Sequence, residues 1–228
     1  NVAMYKRPED GKLPFAISMG EPDGAQGAQF ICGFLGCDMQ PFNPLLAALP
    51  RMVRVSDQNS GALATYVRFA VSESRNARIG GESVLGRLSE LMFVDAIRRY
   101  LETLPSDQLS WLAALRDPYV GRALTTLHRK PAHDWTIDSL AKEVALSRSA
   151  FSERFTQFVG HPPMQYLTSW RMQLAANQLV TGTDSVAMIA NRVGYDSEAA
   201  FSRAFKKSVG VSPSDWRKQR QSVTDNNH

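Results

Sequence analysis

The chain has 228 residues, of which 43% are hydrophobic and 21% charged, an ordinary composition for a globular protein and a sufficient length for two domains. No apolar run approaches the roughly 18 residues that span a bilayer, and no secretory signal is visible, which argues against a membrane protein. The net charge of +4 lies in the second half, since residues 118–228 hold 14 Lys and Arg against 9 Asp and Glu while residues 1–117 hold 12 against 13, and this imbalance favours a polyanionic partner.

The first eighty residues favour strands and loops. The apolar stretches LPFAISMG and QFICGFLGC are bounded by Gly, Pro and Asp, and ATYVRFAV adds β-branched and aromatic residues. NPLLAALP predicts a short helix that ends at Pro50. Cys32 and Cys37 would point to opposite faces of one strand and have no neighbouring cluster of metal ligands, so we expect buried thiols in a reducing compartment.

From Ser83 a helical pattern replaces the strand-and-loop pattern, and the predicted helix should end before Pro105. Its apolar stripe either packs on its own domain or forms part of a dimer contact, and periodicity does not separate these alternatives. Residues 105–118 then predict a domain junction with a short helical piece. The stripe consists of Val84, Leu85, Leu88, Leu91, Met92, Ile97, Tyr100 and Leu101.

Beyond Pro118 the sequence predicts a nearly all-helical domain. Gly160 and Gly210 stand where a helix C-terminus needs a left-handed residue, and Pro213 suits a first helical position. Four serines are placed to cap helix N-termini: Ser147, Ser185, Ser197 and Ser212. The expected helices lie at about 118–129, 137–144, 147–158, 163–181, 185–193, 197–208 and 212–221.

This domain contains an internal repeat. AFSERFTQFVGHPP, from Ala150, recurs fifty residues later as AFSRAFKKSVGVSP, with six identities over residues 151–163. Upstream, the pattern around Leu140 recurs around Ile189 at an offset of 49, so the second copy has one more residue in its turn. Each copy is a short helix, a tight turn and a second helix, which is typical of a helix-turn-helix unit.

Two such units favour a paired nucleic-acid reader over a helical solenoid, which usually needs three or more repeats. The 19-residue helix between them, at 163–181, would span about 28 Å at 1.5 Å per residue. Successive major-groove faces on one side of B-DNA lie about 34 Å apart, so a rod of this length could present both second helices to one duplex. A protein-interaction module that uses the repeat as a scaffold is the alternative.

Catalysis is disfavoured by the sequence. A metal-dependent oxygenase needs histidine-rich metal ligands, and none of the four histidines lies in the strand-rich half. Neither a G-x-x-x-x-G-K-[ST] phosphate loop nor a G-x-S-x-G nucleophile elbow occurs. We therefore expect no enzyme activity, no cofactor and no metal. The histidines are His128, His133, His161 and His228.

The helical half resembles the DNA-binding domain of AraC-type transcription regulators over about residues 118–220. The family signature IA..VGY.....FSRAFK...G.SP..WR stands here from Ile189 to Arg217. The resemblance implies a seven-helix domain with two helix-turn-helix units, at about 137–158 and 185–208, that reads two successive major grooves.

The first 104 residues look more loosely like the latter part of the cupin-type companion domain found in one branch of that family. FICGFLGCDMQPFNPLLAALP and GGESVLGRLSELMFVDAIRRYLE carry this likeness. The expected fold is therefore α+β but mostly α, with a partial cupin-like regulatory or dimerisation domain at 1–117 and the DNA-binding domain at 118–228. Because the first strands of such a barrel have no counterpart and the chain begins with Asn1, we expect a longer native protein.

The resemblance implies base contacts from the second helix of each unit. Arg203 is the strongest candidate, because a guanidinium can bond guanine O6 and N7 together; a phosphate contact or an ion pair within the domain is the alternative. Glu153, at the equivalent position, either accepts from cytosine N4 or excludes wrong sites by repelling phosphate. The base candidates are Arg148, Ser149, Ser152 and Glu153 in the first copy and Glu198, Ala199, Ser202 and Arg203 in the second.

Four further residues are candidates for phosphate contact. Arg154 and Arg171 have a structural role as the alternative, and a solvated helix end is the alternative for Lys206 and Lys207. Double-stranded DNA is the partner that the resemblance implies, for a cytoplasmic regulator that is an activator or a repressor. RNA polymerase, a small-molecule effector and a second copy of the chain remain open as further partners, and no membrane partner is expected.

Overall fold

A computed structural model of the protein describes residues 15–19, 28–32, 41–55, 61–76, 78–105 and 108–225. The chain divides into two compact units, one of residues 1–37 and 52–103 and the other of residues 38–51 and 104–228. The described elements, in chain order, are β1 (Phe15–Met19), β2 (Ala28–Cys32), α1 (Pro44–Ala48), α2 (Ala62–Arg75), α3 (Gly81–Thr103), α4 (Trp111–Ala114), α5 (Val120–Arg129), α6 (Ile137–Glu143), α7 (Arg148–Val159), α8 (Pro163–Thr181), α9 (Val186–Arg192), α10 (Glu198–Val209) and α11 (Pro213–Asp225).

In the first unit β1 and β2 form an antiparallel pair in which Ile17 lies opposite Phe30. Both strands overlap the apolar stretches that predict extended chain, and α3 is the helix predicted to end before Pro105. Cys32 ends β2 whereas Cys37 lies outside the described residues, so the expectation for the two thiols stays a prediction. A cupin-like barrel around this strand pair likewise stays a prediction.

The prediction of extended chain for ATYVRFAV is wrong, because these residues belong to α2. Tyr66 and Ala70 lie about one turn apart in this helix and pack with Leu85 and Leu88 of α3. Packing against a neighbouring helix therefore outweighs the strand preference of the β-branched and aromatic residues. The first half of the α3 stripe packs within its own unit, while Leu91 further along is 48% exposed.

The compact unit of residues 38–51 and 104–228 is built along α8, which contributes to two hydrophobic clusters. Tyr166 and Leu167 of α8 belong to the first cluster, together with buried residues of α5, α6 and α7. Met172 and Ala175 belong to the second cluster, together with buried residues of α9, α10 and α11. Each predicted helix-turn-helix unit thus has a core of its own. The prediction of a mostly helical domain is confirmed for the described part of residues 104–228.

The predicted helix ends beyond Pro118 are confirmed. Gly160 and Gly210 adopt the left-handed φ values of 79° and 91° just after α7 and α10, and Pro213 is the first residue of α11. The four predicted N-cap serines each accept a hydrogen bond from the backbone N–H three residues further on: Ser147, Ser185, Ser197 and Ser212.

Candidate nucleic-acid interface

The second helices of the two units, α7 and α10, bury equivalent aromatic faces. Phe151 and Phe155 have no exposed surface, and neither do Phe201 and Phe205. The ring centroids within each pair lie 5.7 Å and 5.5 Å apart. The identities in the repeat therefore mark the inward face of each helix, and the residues between them are free to differ.

The turns that precede these helices close in the same way. Leu146 N–H donates to Ala141 O at 3.0 Å, and Tyr195 N–H donates to Ala190 O at 2.9 Å. The left-handed residue of the first turn is Ala145, with φ 57°, and that of the second turn is a glycine with φ 86°. The extra residue of the second copy thus lies after this closure, directly before the N-cap serine of α10.

The predicted base candidates occupy the outward side of the two helices. Those of the first copy are exposed except for Ser152, which is half-buried, and those of the second are exposed except for Ser202, its equivalent. Arg148 Nη1 lies 3.3 Å from Asp138 Oδ2 on α6, and both side chains are largely in solvent. Such a pair is weak enough to open when a nucleic acid approaches.

Glu153 and Arg203 differ in their surroundings as well as in charge. Glu153 Oε1 accepts a hydrogen bond from Gln157 Nε2 at 3.4 Å, one turn along α7. Within the part of the chain that the structure describes, no acidic side chain forms an ion pair with Arg203. Arg203 is therefore available for an external partner, which speaks against the alternative of an ion pair within the domain.

Arg154 is held by a carboxylate that the sequence reasoning missed. Its Nε donates to Asp117 Oδ2 at 3.0 Å and to Oδ1 at 3.2 Å, and only 4% of the Asp117 side chain is exposed. Asp117 Oδ1 also accepts from the N–H groups of Tyr119 and Val120 at the start of α5. An acidic residue directly before Pro118 is a local signal for such a helix cap, although not for the bond to Arg154.

Opposing effects act on the pKa of Asp117. Burial alone would raise this pKa, but the hydrogen bond from Arg154 and those from the backbone of Val120 and Tyr119 outweigh it and hold the pKa below its ordinary value. The same bond raises the pKa of Arg154. Arg154 thus has a structural partner, and its contact with phosphate stays a prediction.

Arg171, on α8, is also engaged inside the protein. Its Nε donates to Pro131 O at 2.7 Å, its Nη2 to His133 O at 2.9 Å and its Nη1 to Gly194 O at 3.3 Å. Burial lowers the pKa of Arg171, although an arginine remains charged near neutral pH. This geometry favours the structural alternative, whereas Lys206 and Lys207 are exposed in the last turn of α10.

The histidine nearest the core takes part in packing. His128 Nε2 lies 2.8 Å from Tyr166 Oη, which also accepts from Trp111 Nε1 at 3.1 Å, and the imidazole stacks on Trp170. Burial lowers the pKa of His128 to about 4, so the ring is neutral near pH 7. Among the described residues no group of three or more His, Cys, Asp and Glu is placed to hold a metal, and no helix is long and apolar enough to cross a membrane.

Two protein families match the chain in adjoining regions. The family described as a helix-turn-helix domain matches residues 140–219, and the family described as cupin matches residues 3–102. The first match runs from within α6 into α11 and so includes most of the first helix-turn-helix unit and all of the second, while the second match includes the strand pair, α2 and nearly all of α3.

Several regulators have similar sequences. The HTH-type transcriptional regulator AlkR of Acinetobacter baylyi is 34% identical over 92% of this chain and 69% of its own length. MtrA of Neisseria gonorrhoeae, of the same description, is 31% identical over 92% of this chain and 72% of its own length. An AraC-like regulator of Streptomyces antibioticus is 42% identical over 76% of this chain, which spans 58% of the length of that relative.

Among solved structures, the DNA-binding domain of AdpA, determined in complex with a target DNA, has a similar fold. The similarity covers 47% of this chain and 96% of the AdpA domain. The two are 27% identical with a TM-score of 0.45.

Proposed function

Because this chain belongs to the AraC-type family of helix-turn-helix transcription regulators, we propose that it binds double-stranded DNA in a sequence-specific manner and inserts α7 and α10 into successive major grooves. The resemblance stated from the sequence is thereby confirmed at the level of the family. The operator and the contacts that recognise it belong to the proposal.

One observation carries this proposal: α7 and α10 have the same inward face and different outward faces. The inward face holds the paired phenylalanines, and the outward face holds Glu153 in one helix and Arg203 in the other. A shared interior with differing polar exteriors suits two helices that enter equivalent grooves and recognise different bases. The basic end of α10, with Lys206 and Lys207, supports phosphate contact beside the second groove.

We assign DNA binding to residues 118–228 and a cupin-like regulatory and dimerisation role to residues 1–117, in an α+β chain that works in the cytoplasm. The match of residues 3–102 to the cupin family supports the second assignment. An effector would act through this region, and RNA polymerase and a second copy of the chain are the further partners that we propose. We infer no enzyme activity, since the relatives are transcription regulators.

Selection of bound duplexes from a random pool tests this function. We expect enrichment of a site with two boxes about one helical turn apart, one for each helix. A matched control removes the outward side chains of both helices by combining Ser149→Ala, Glu153→Ala and Arg203→Ala, and should lose the enrichment while its thermal unfolding is unchanged. Failure of the wild-type chain to enrich any sequence would overturn the proposal.

The salt dependence of binding separates this function from a protein-interaction scaffold. Contact with several phosphates releases counterions, so the logarithm of the affinity should fall linearly with the logarithm of the salt concentration, with a slope of roughly −0.9 for each phosphate. An apolar protein interface would show little such dependence. A flat salt response, together with capture of a protein partner, would favour the scaffold.

A further inference from the structure

We propose that Arg171 is a positioning residue, which locks the two helix-turn-helix units at one separation and thereby makes the chain selective for the spacing between its two DNA boxes. This inference rests on the proposed function. It assigns to Arg171 a role in recognition without contact with DNA.

The need for a lock follows from the separate cores of the two units. The last residue that α8 contributes to the first cluster is Leu167, and the first that it contributes to the second cluster is Met172. Residues 168–171 thus form the boundary between the cores. Burial of apolar surface stabilises each unit by itself but acts on their mutual orientation only through residues at this boundary.

Arg171 lies at this boundary and bonds both sides of it. Pro131 O and His133 O belong to the segment between α5 and α6, which leads into the first helix-turn-helix unit, whereas Gly194 O belongs to the turn of the second helix-turn-helix unit. The guanidinium is planar and presents its donors at fixed angles, so three carbonyl groups bound to it lose their freedom to move apart. A lysine ammonium at the same place lacks this fork geometry.

The same two segments touch backbone to backbone. A Cβ added at Gly194 would lie 2.8 Å from both Cα and O of Ala132 and 2.9 Å from Arg171 Nη2. Only glycine allows this approach, and its φ of 86° is also one that side chains disfavour. The contact between residues 131–133 and the second turn is therefore close, and Arg171 closes it.

A fixed separation has a direct consequence for DNA. One base pair inserted between two boxes moves the second box by about 3.4 Å along the duplex and turns it by about 34° around the axis. Two helices locked to each other cannot follow this displacement without bending the DNA. Two helices joined by α8 alone can follow it in part, so a chain without the lock should tolerate the wrong spacing.

The first test needs no DNA. Spin labels at Thr125 on α5 and Ser214 on α11, two exposed positions on helices that pack in different hydrophobic clusters, report their separation by pulsed electron paramagnetic resonance in a chain whose two cysteines are replaced by serine. We expect one narrow distance distribution for the wild-type side chain, a broad one for Arg171→Met and an intermediate one for Arg171→Lys. A distribution in Arg171→Met as narrow as that of Arg171, at the same distance, would overturn the proposal.

The second test measures affinity for the selected operator and for versions with one base pair added or removed between the boxes. We expect a wrong spacing to cost the wild-type chain about 10-fold in affinity, comparable to one mismatched base pair, and Arg171→Met about 2-fold. Gly194→Ala, which forces apart the same contact from the other side, should lower the preference too. Ala145→Gly, in the equivalent turn of the first unit, is the matched control and should keep it.

Two outcomes separate the inference from its premise. If Arg171→Met weakens binding to all three spacings by one factor, Arg171 only stabilises the fold and the inference is wrong. If the wild-type chain selects no DNA at all, the proposed function is wrong, while the distance measurement still decides whether Arg171 locks the two units.

Discussion

The two helix-turn-helix units are alike inside and differ on their surfaces. Phe155 and Phe205 are both fully buried, and the turns before α7 and α10 close through equivalent hydrogen bonds. At the next positions outward, Glu153 is replaced by Arg203 and Arg154 by Ala204. Ala204 packs against the second cluster, whereas Arg154 reaches Asp117 before α5.

This difference indicates that the two helix-turn-helix units contribute differently to DNA binding. Both arginines of α7 are already paired, Arg148 with Asp138 and Arg154 with Asp117. In contrast, α10 ends in two exposed lysines and carries Arg203. We therefore expect the second helix-turn-helix unit, with α10, to contribute more of the attraction to phosphate. The affinity of the first, with α7, should depend more on the base sequence of its box.

The largest effect should come from the shared interior. Phe155→Ala and Phe205→Ala each remove a fully buried ring from one cluster, and each should lower the free energy of unfolding by about 3–5 kcal/mol. Because the clusters are separate, hydrogen exchange should show loss of protection around the mutated unit first. Equal loss of protection in both units from either change would contradict the separation of the cores.

The two turns should respond in opposite directions. Gly194→Ala places a Cβ 2.8 Å from the Ala132 backbone at a φ of 86°, and should lower the free energy of unfolding by about 2–4 kcal/mol. Ala145→Gly relieves a left-handed alanine with φ 57° and should raise it by about 0.5–1 kcal/mol. Chemical denaturation measures both. A destabilised Ala145→Gly would show that this turn is not strained.

The bond between Arg154 and Asp117 should make stability depend on pH. Because the folded-state pKa of Asp117 is lowered, its contribution is present above the unfolded pKa of about 3.9 and is lost as the pH falls through the folded value. Asp117→Asn should cost about 1–3 kcal/mol at pH 7 and much less at low pH. Thermal unfolding between pH 7 and pH 2 measures this, and an equal cost at both extremes would argue against an ionic role.

The smallest effect should come from the basic end of α10. Lys207→Ala removes an exposed cation and should weaken binding to all duplexes alike, with a salt slope that is shallower by about 1. Lys142→Ala, at an exposed position on α6, serves as the comparison in the first unit. An unchanged slope in Lys207→Ala would place this lysine outside the interface.

Sequence reasoning was most successful where the signal is local. The seven helices beyond Pro118, their serine caps and the glycines after α7 and α10 depend on residues within a few positions of one another, and the structure places them close to the predicted bounds. The one-residue difference between the copies could also be seen, because the identities before and after the turn differ in offset. Only the structure shows that it falls after the closed turn.

The sequence does not predict features that depend on a partner distant along the chain. ATYVRFAV forms α2 because α3 offers a surface to pack on, and no window of eight residues contains that information. The pair of Arg154 with Asp117 joins residues 37 positions apart, and Arg171 reaches carbonyls 40, 38 and 23 positions away. Backbone carbonyls have no signature in the sequence, so this role of Arg171 could not be predicted from its neighbours.

The most direct test of whether α7 and α10 recognise different bases compares base preferences after changing the two equivalent residues. Binding of Arg203→Ala and Glu153→Ala is measured against every single base-pair change in the selected operator. We expect Arg203→Ala to lose about 1–3 kcal/mol of discrimination at one base pair of one box, while Glu153→Ala should change the preference only in the other box. Uniform weakening of all sequences by Arg203→Ala, with both boxes read as before, would contradict this expectation.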